Sequence, residues 1–149
     1  MLAARKFDTY RTTAVQTATP GNLLLMLYDG ANRFLSTAID AFKQEDPLKF
    51  NLVIHQNITK AQAIICELQR ALRPEGAGDL ATSLTQLYDY FNRRLQEANV
   101  KKDKGMIEEV RSRMSDLRDA WAQSYAKMLQ ENAPKTDANS TPATFSATR

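Results

Sequence analysis

A single cysteine, Cys66, and a single histidine, His55, leave this sequence without the parts for most metal and nucleophile chemistry. One thiol cannot close an internal disulfide and fits a reducing compartment. One imidazole cannot supply the paired Glu-x-x-His motifs of a di-iron helical bundle. The H-E-x-x-H and C-x-x-C patterns and the G-x-x-x-x-G-K-[ST] phosphate loop are missing as well. His55 and Cys66 fall in one predicted helix about three turns, or roughly 16 Å, apart, so they do not form a nucleophile pair. The carboxylates Glu108, Glu109, Asp116 and Asp119 alternate with Arg111, Arg113 and Arg118 at helical spacing. That pattern describes ordinary surface ion pairs rather than acid–base machinery. No catalytic residue, cofactor or metal is expected, and the protein is expected to act by binding.

Glycine and proline are also scarce, at 5 each, and no stretch alternates β-branched with polar residues, which excludes a sheet protein. No run approaches the roughly 18 apolar residues of a membrane span. The first ten residues, MLAARKFDTY, lack the apolar core and cleavage site of a secretory leader. The expected location is the cytoplasm. Charge of one sign is not in large excess: 20 basic and 17 acidic residues leave +3, spread along the chain. A nucleic-acid binder would instead cluster its cations. No nucleic acid and no membrane insertion are therefore expected.

What the sequence does hold is helical periodicity. Thr19 and Pro20 form a helix-start signal, a hydroxyl cap followed by a proline at the first position. A helix is predicted from Pro20 to Gln44, with Leu24, Leu27, Tyr28, Ala31, Leu35, Ala38, Ile39 and Phe42 on its apolar side. Gly30 inside it implies a close helix–helix contact, since glycine there costs ~1 kcal/mol against alanine. Asp46 and Pro47 repeat the start signal. The second helix carries Phe50, Ile54, Ile58, Ala61, Ile65, Leu68 and Leu72, with steps of three and four that favour near-parallel axes. Val53 and Ile64 lie beside that seam as a second apolar stripe.

After the break at 74–78, Asp79 is the expected cap of a third helix bearing Leu80, Leu84, Leu87, Tyr88, Phe91, Leu95 and Ala98. A polar connection over 99–104 has Asp103 as the next cap. The fourth helix shows Ile107, Val110, Met114, Leu117, Trp121, Tyr125 and Met128. From Asn132 small polar residues and two prolines read as a disordered tail. Four helices of about 30–42 Å with short connections make an all-α, elongated antiparallel four-helix bundle. The organisation is a docking segment over 1–19, a bundle over 20–131 and a tail over 132–149.

Four stretches in this order, TATPGNLLLMLYDGA, KAQAIICELQRAL, LTQLYDYFNRRLQEANVKKD and LRDAWAQSYAKM, resemble the FliS family of flagellin-export chaperones. The resemblance covers about residues 7–128. It implies a cytosolic chaperone without ATPase activity. Such a chaperone binds the C-terminal segment of flagellin, prevents premature polymerisation and helps deliver flagellin to a component of the flagellar type III export gate. The client segment is disordered when free and forms short helices on the bundle, so recognition couples folding to binding. In the family the N-terminal segment often carries Asn-Pro-Tyr-x-x-x-Tyr and can act as a lid. Here Phe7 and Tyr10 keep an aromatic pair without the Asn-Pro.

The client surface is expected between the second, third and fourth helices. Asn57, Ala61, Ile64 and Leu68 are assigned to it from the second helix, and Tyr90 and Arg94 from the third. The alternatives are a nucleic-acid-associated adaptor using Arg93, Arg94, Lys101, Lys102 and Lys104, or a self-associating helical adaptor. A homodimer of the free chaperone is compatible with the sequence.

Overall fold

The computed structural model describes residues 20–72 and 78–132. Phe7 and Tyr10 of the expected lid, and the expected tail beyond residue 132, lie outside them. Among the described residues there are four α-helices and no strand: α1 Pro20–Asp40, α2 Pro47–Arg70, α3 Gly78–Lys101 and α4 Lys104–Asn132.

Local chemistry accounts for most of the boundaries. The Asp46 carboxylate accepts from the Leu48 backbone N–H at 2.9 Å, and Pro47 follows at the first helical position. Asp46→Ala removes that cap and is expected to cost about 1 kcal/mol, read as a lower midpoint in urea with an unchanged slope. Asp103 acts in the same way, accepting from Met106 N–H at 3.2 Å. Gly105 fits beside it because a Cβ there would come within 3.3 Å of the capping oxygen.

Three boundaries differ from the sequence reading. The first helix does not run evenly to Gln44: it ends at Asp40 and tightens into a 3-10 turn, Ala41–Lys43. Gln44 is already extended, and its N–H closes that turn onto Ala41 O at 3.0 Å. Asp79 is not the cap of α3 but lies in its first turn, because the chain enters the helix through Gly78 at φ 61°. Glycine takes that left-handed conformation without the clash a Cβ would bring. Helix α3 also continues into the expected polar connection, as far as Lys101. Lys102 then turns left-handed at φ 51°, and Asp103 N–H reaches back to Ala98 O at 3.0 Å. This is a Schellman-type stop with lysine where glycine is usual. The Lys102 ammonium ties the turn down, donating to Asn99 O at 2.8 Å and Asn99 Oδ1 at 2.6 Å.

The described residues fall into two compact units, divided between Asp119 and Ala120. In the first, cross-helix contacts give the directions of the helices. His55–Asn99, Gln62–Asn92 and Gln69–Thr85 pair α2 with α3 in antiparallel register, at 2.9, 3.1 and 3.1 Å. Arg111–Ser36 and Arg118–Asp29 do the same for α4 and α1, at 3.2 and 2.9 Å. Phe42 meets Phe50 edge-on at 5.2 Å, and Lys60 lies 5.5 Å from the Phe34 ring, pairing α1 with α2. The result is an antiparallel four-helix bundle, as the helical spacing predicts.

Its core is the expected seams: Leu35 and Ala38, Ile54, Ile58 and Ile65, Phe91 and Leu95, and Ile107, Val110 and Met114, all fully buried. Gly30 is buried on α1, as its cost in a helix implies. The phenols of Tyr28 and Tyr88 hydrogen-bond to each other inside the core. Leu80, placed on the seam by periodicity, is instead 70% exposed in the first turn of α3. In the second unit, of which 120–132 are described, Trp121 and Tyr125 stack at 6.1 Å. Met128 was expected on the apolar seam but is exposed, as is Leu129.

Candidate functional site

The six residues assigned to a client surface separate into two groups. Asn57, Ala61, Ile64 and Leu68 all lie on α2 and all are buried, the last three with almost no accessible surface. Asn57 satisfies its amide locally, donating to Val53 O at 2.8 Å. At about 100° per residue, Asn57 and Ile64 stand within about 60° of Lys60 around the helix. Lys60 is the residue of α2 that meets Phe34 of α1, so these two face the α1 side. Gln62 and Gln69, which meet α3, point nearly the opposite way. The off-seam placement of Ile64 therefore makes a second buried stripe, not an exposed one.

Tyr90 and Arg94 form the other group, one turn apart on α3, and both converge on Glu109 of α4. The Tyr90 hydroxyl donates to Glu109 Oε2 at 2.7 Å, and Arg94 Nε donates to Oε1 at 2.8 Å. Arg113 approaches the same carboxylate at 3.4 Å, and Arg94 leans toward Glu97 at 3.9 Å. The Tyr90 hydroxyl, and after it the Arg94 guanidinium, hold the Glu109 carboxyl below the ordinary carboxylate range. In return, the hydrogen bond to Glu109 raises the phenol of Tyr90 and the guanidinium of Arg94. These side chains are only partly covered, so the network is a pre-shaped polar surface rather than a large source of stability. Tyr90 also leans its ring on Phe91 at 6.1 Å, which anchors the surface to the core. Glu109, the hub, was read from sequence only as one half of a surface pair. Its link to Tyr90 depends on how α3 and α4 are set against each other, which no local pattern specifies.

Apolar surface is also exposed on α2 and α3. Leu48, Leu52 and Val100 are 73%, 48% and 75% exposed. The antiparallel register puts Val100 level with residue 54 of α2, close to the height of Leu52. Three of the five cations proposed for a nucleic-acid stripe are engaged locally: Arg94 with Glu109, Lys101 with Glu97 at 2.8 Å, and Lys102 with Asn99. His55 and Cys66 have separate partners on α3. Asn99 lies against His55 Nδ1 at 2.9 Å, and Asn92 Nδ2 donates to Cys66 Sγ at 3.6 Å. Among the described residues no three His, Cys, Asp or Glu side chains come together to hold a metal ion. No described helix is long and apolar enough to cross a membrane.

A groove of about 480 Å³ opens between α1 and α4. Asn32 and Ser36 line it from α1, and Arg111, Ser112, Ser115, Asp116 and Asp119 from α4.

A family model described as "Flagellar protein FliS" matches residues 3–128 of this chain. A protein of Bacillus subtilis named flagellar secretion chaperone FliS is 40% identical over 83% of this chain and 89% of its own length. The Salmonella typhimurium protein of the same name is 39% identical over 77% of this chain and 83% of its own. The Pseudomonas aeruginosa flagellar secretion chaperone FliSB is 30% identical over 81% and 96%.

Proposed function

Because the chain belongs to the FliS family, we propose that it is a cytosolic chaperone that binds the C-terminal segment of flagellin. It keeps flagellin from polymerising and helps deliver it to the flagellar export gate. The match over residues 3–128 is the observation that carries this reading, since it covers the first three helices and most of α4. The described surface offers what a client that folds on binding requires. Exposed leucine and valine side chains take apolar helix faces, and the Tyr90–Glu109–Arg94 network supplies fixed polar groups to orient them. Occupying those faces of flagellin suppresses filament assembly by mass action.

Within this proposal Tyr90 and Arg94 contact the client directly. Asn57, Ala61, Ile64 and Leu68 act from beneath, holding α2 in place. Phe7 and Tyr10 belong to the same proposal as docking groups of a lid.

Calorimetric titration with the C-terminal segment of flagellin from the same organism tests it. The expected result is a one-to-one complex with the negative heat-capacity change of apolar burial and a gain of helix in the segment. Arg94→Glu is expected to weaken binding about tenfold, roughly 1.4 kcal/mol, with an unchanged melting curve. No heat at tens of micromolar would reduce the protein to a helical adaptor that shares only the family's fold.

A further inference from the structure

Two stretches of the chain repeat each other. Residues 24–38, LLMLYDGANRFLSTA, and residues 84–98, LTQLYDYFNRRLQEA, are identical at eight of fifteen positions, at an offset of 60. They fall within α1 and α3, and their contacts repeat as well. Asp29 Oδ1 accepts from Arg118 Nε of α4 at 2.9 Å, and Asp89 Oδ1 accepts from Gln69 Nε2 of α2 at 2.7 Å. Arg118 lies 49 residues after Gln69, so the second helices match at an offset of 49. Another pair of contacts obeys the same two offsets. Phe34 meets Lys60 at 5.5 Å between α1 and α2, and Arg94 meets Glu109 at 2.8 Å between α3 and α4. The core follows: Leu35 with Leu95, Ile58 with Ile107, and Ile65 with Met114 are all fully buried. Tyr28 and Tyr88, matched by the first offset, hydrogen-bond to each other. A shared helix signature would explain the likeness of α1 to α3. It would not dictate which residues of α2 and α4 those helices meet.

We propose that the bundle is two copies of one helical-hairpin unit, α1–α2 and α3–α4, related by a two-fold axis through the Tyr28–Tyr88 bond, and that changes at three matched positions confine client binding to the second copy. Such an axis makes the interface between the hairpins isologous, with the aspartate of each reaching the second helix of the other. The outer seams have diverged. Gly30 is buried in the first hairpin, where Tyr90 of the second stays partly exposed. Phe34 and Lys60 make an aromatic–cation contact where Arg94 and Glu109 make an ion pair. The first seam therefore places a ring under its cation, and the second presents a tyrosine and a guanidinium. This half of the proposal rests on the reading of Tyr90 and Arg94 as client contacts. It gives one client per chain on a scaffold that is doubled.

The test is Arg94→Phe combined with Glu109→Lys in the full chain, which gives the second hairpin the pair that the first one carries. Equivalent halves require the aromatic–cation contact to form there again. In wild-type NMR spectra the Lys60 methylene next to Nζ is expected upfield, shifted by the Phe34 ring. The double variant is expected to show a second lysine methylene shifted upfield to a similar extent. It should melt within about 4 °C of wild type, as surface changes do. It should also melt above Glu109→Lys alone, which sets a third cation against Arg94 and Arg113. Its affinity for the C-terminal segment of flagellin should fall about tenfold or more. A double variant that unfolds, lacks the second upfield lysine signal, or melts no higher than Glu109→Lys would overturn the equivalence of the halves. Unchanged client affinity in the folded double variant would overturn the confinement to the second copy. Wild-type protein that fails to bind the segment would overturn the client reading and that second half with it, while the lysine signal still decides the repeat.

Discussion

Ile64→Asp is expected to unfold the bundle rather than to weaken a client complex. Ile64 has no accessible surface, and it stands in the second buried stripe of α2. Truncating a residue of this kind to alanine costs about 2–5 kcal/mol through lost burial and the cavity left behind. An aspartate adds the penalty of a carboxylate with no partner in the core, several kcal/mol more. Together these match or exceed the roughly 5–15 kcal/mol that holds an ordinary domain folded. Far-UV circular dichroism should show a largely unfolded chain at 25 °C. Ile64→Val should melt cooperatively with a loss of about 0.5–1.5 kcal/mol. A folded Ile64→Asp protein with reduced flagellin binding would return Ile64 to the client surface.

The same residue shows where sequence reasoning reaches its limit. Spacing placed Ile64 beside the main seam, and it does lie there. Whether a side stripe is buried depends on how far the neighbouring helix wraps round, which is a property of two helices and not of one. Two of the three expected caps among the described residues were legible for the opposite reason. Asp46 and Asp103 act on backbone groups two or three residues away, so residue type and position suffice to identify them. Leu80 was misread because periodicity carries on into a helix end where the core does not follow. Gly78 was read as part of a break, although its freedom at positive φ is what lets α3 begin one residue early. The polar assemblies were least visible. Tyr90, Arg94 and Glu109 look like any solvated helix face until the register brings them together.

The hydrogen-bonded pair of Tyr28 and Tyr88 is a further product of register, and it predicts how the protein fails in alkali. Burial raises both phenols above the ordinary tyrosine value. The bond between them adds to the rise at Tyr88 and opposes it at Tyr28. In the unfolded chain both ionise near pH 10, while in the bundle they keep their protons to higher pH. The unfolded state therefore binds fewer protons than the native state above pH 10, and stability must fall as pH rises. Below pH 10 neither state ionises these groups, and their full contribution is present. The slope from the pair reaches at most about 2.7 kcal/mol per pH unit, twice the value for one group, while both phenols keep their protons in the bundle.

Urea titrations between pH 9 and 11.5 should show a flat region followed by that decline. Replacing both residues, Tyr28→Phe with Tyr88→Phe, should remove most of the decline. Tyr90, whose bond to Glu109 also raises its phenol, contributes to the smaller remainder. Tyr88→Phe alone is expected to be less stable at neutral pH than the double variant. It leaves the Tyr28 hydroxyl buried without its partner, a cost of about 1–3 kcal/mol that the double change avoids. Equal alkaline slopes in wild type and double variant would mean that the two hydroxyls meet water in solution and do not share a bond in the core.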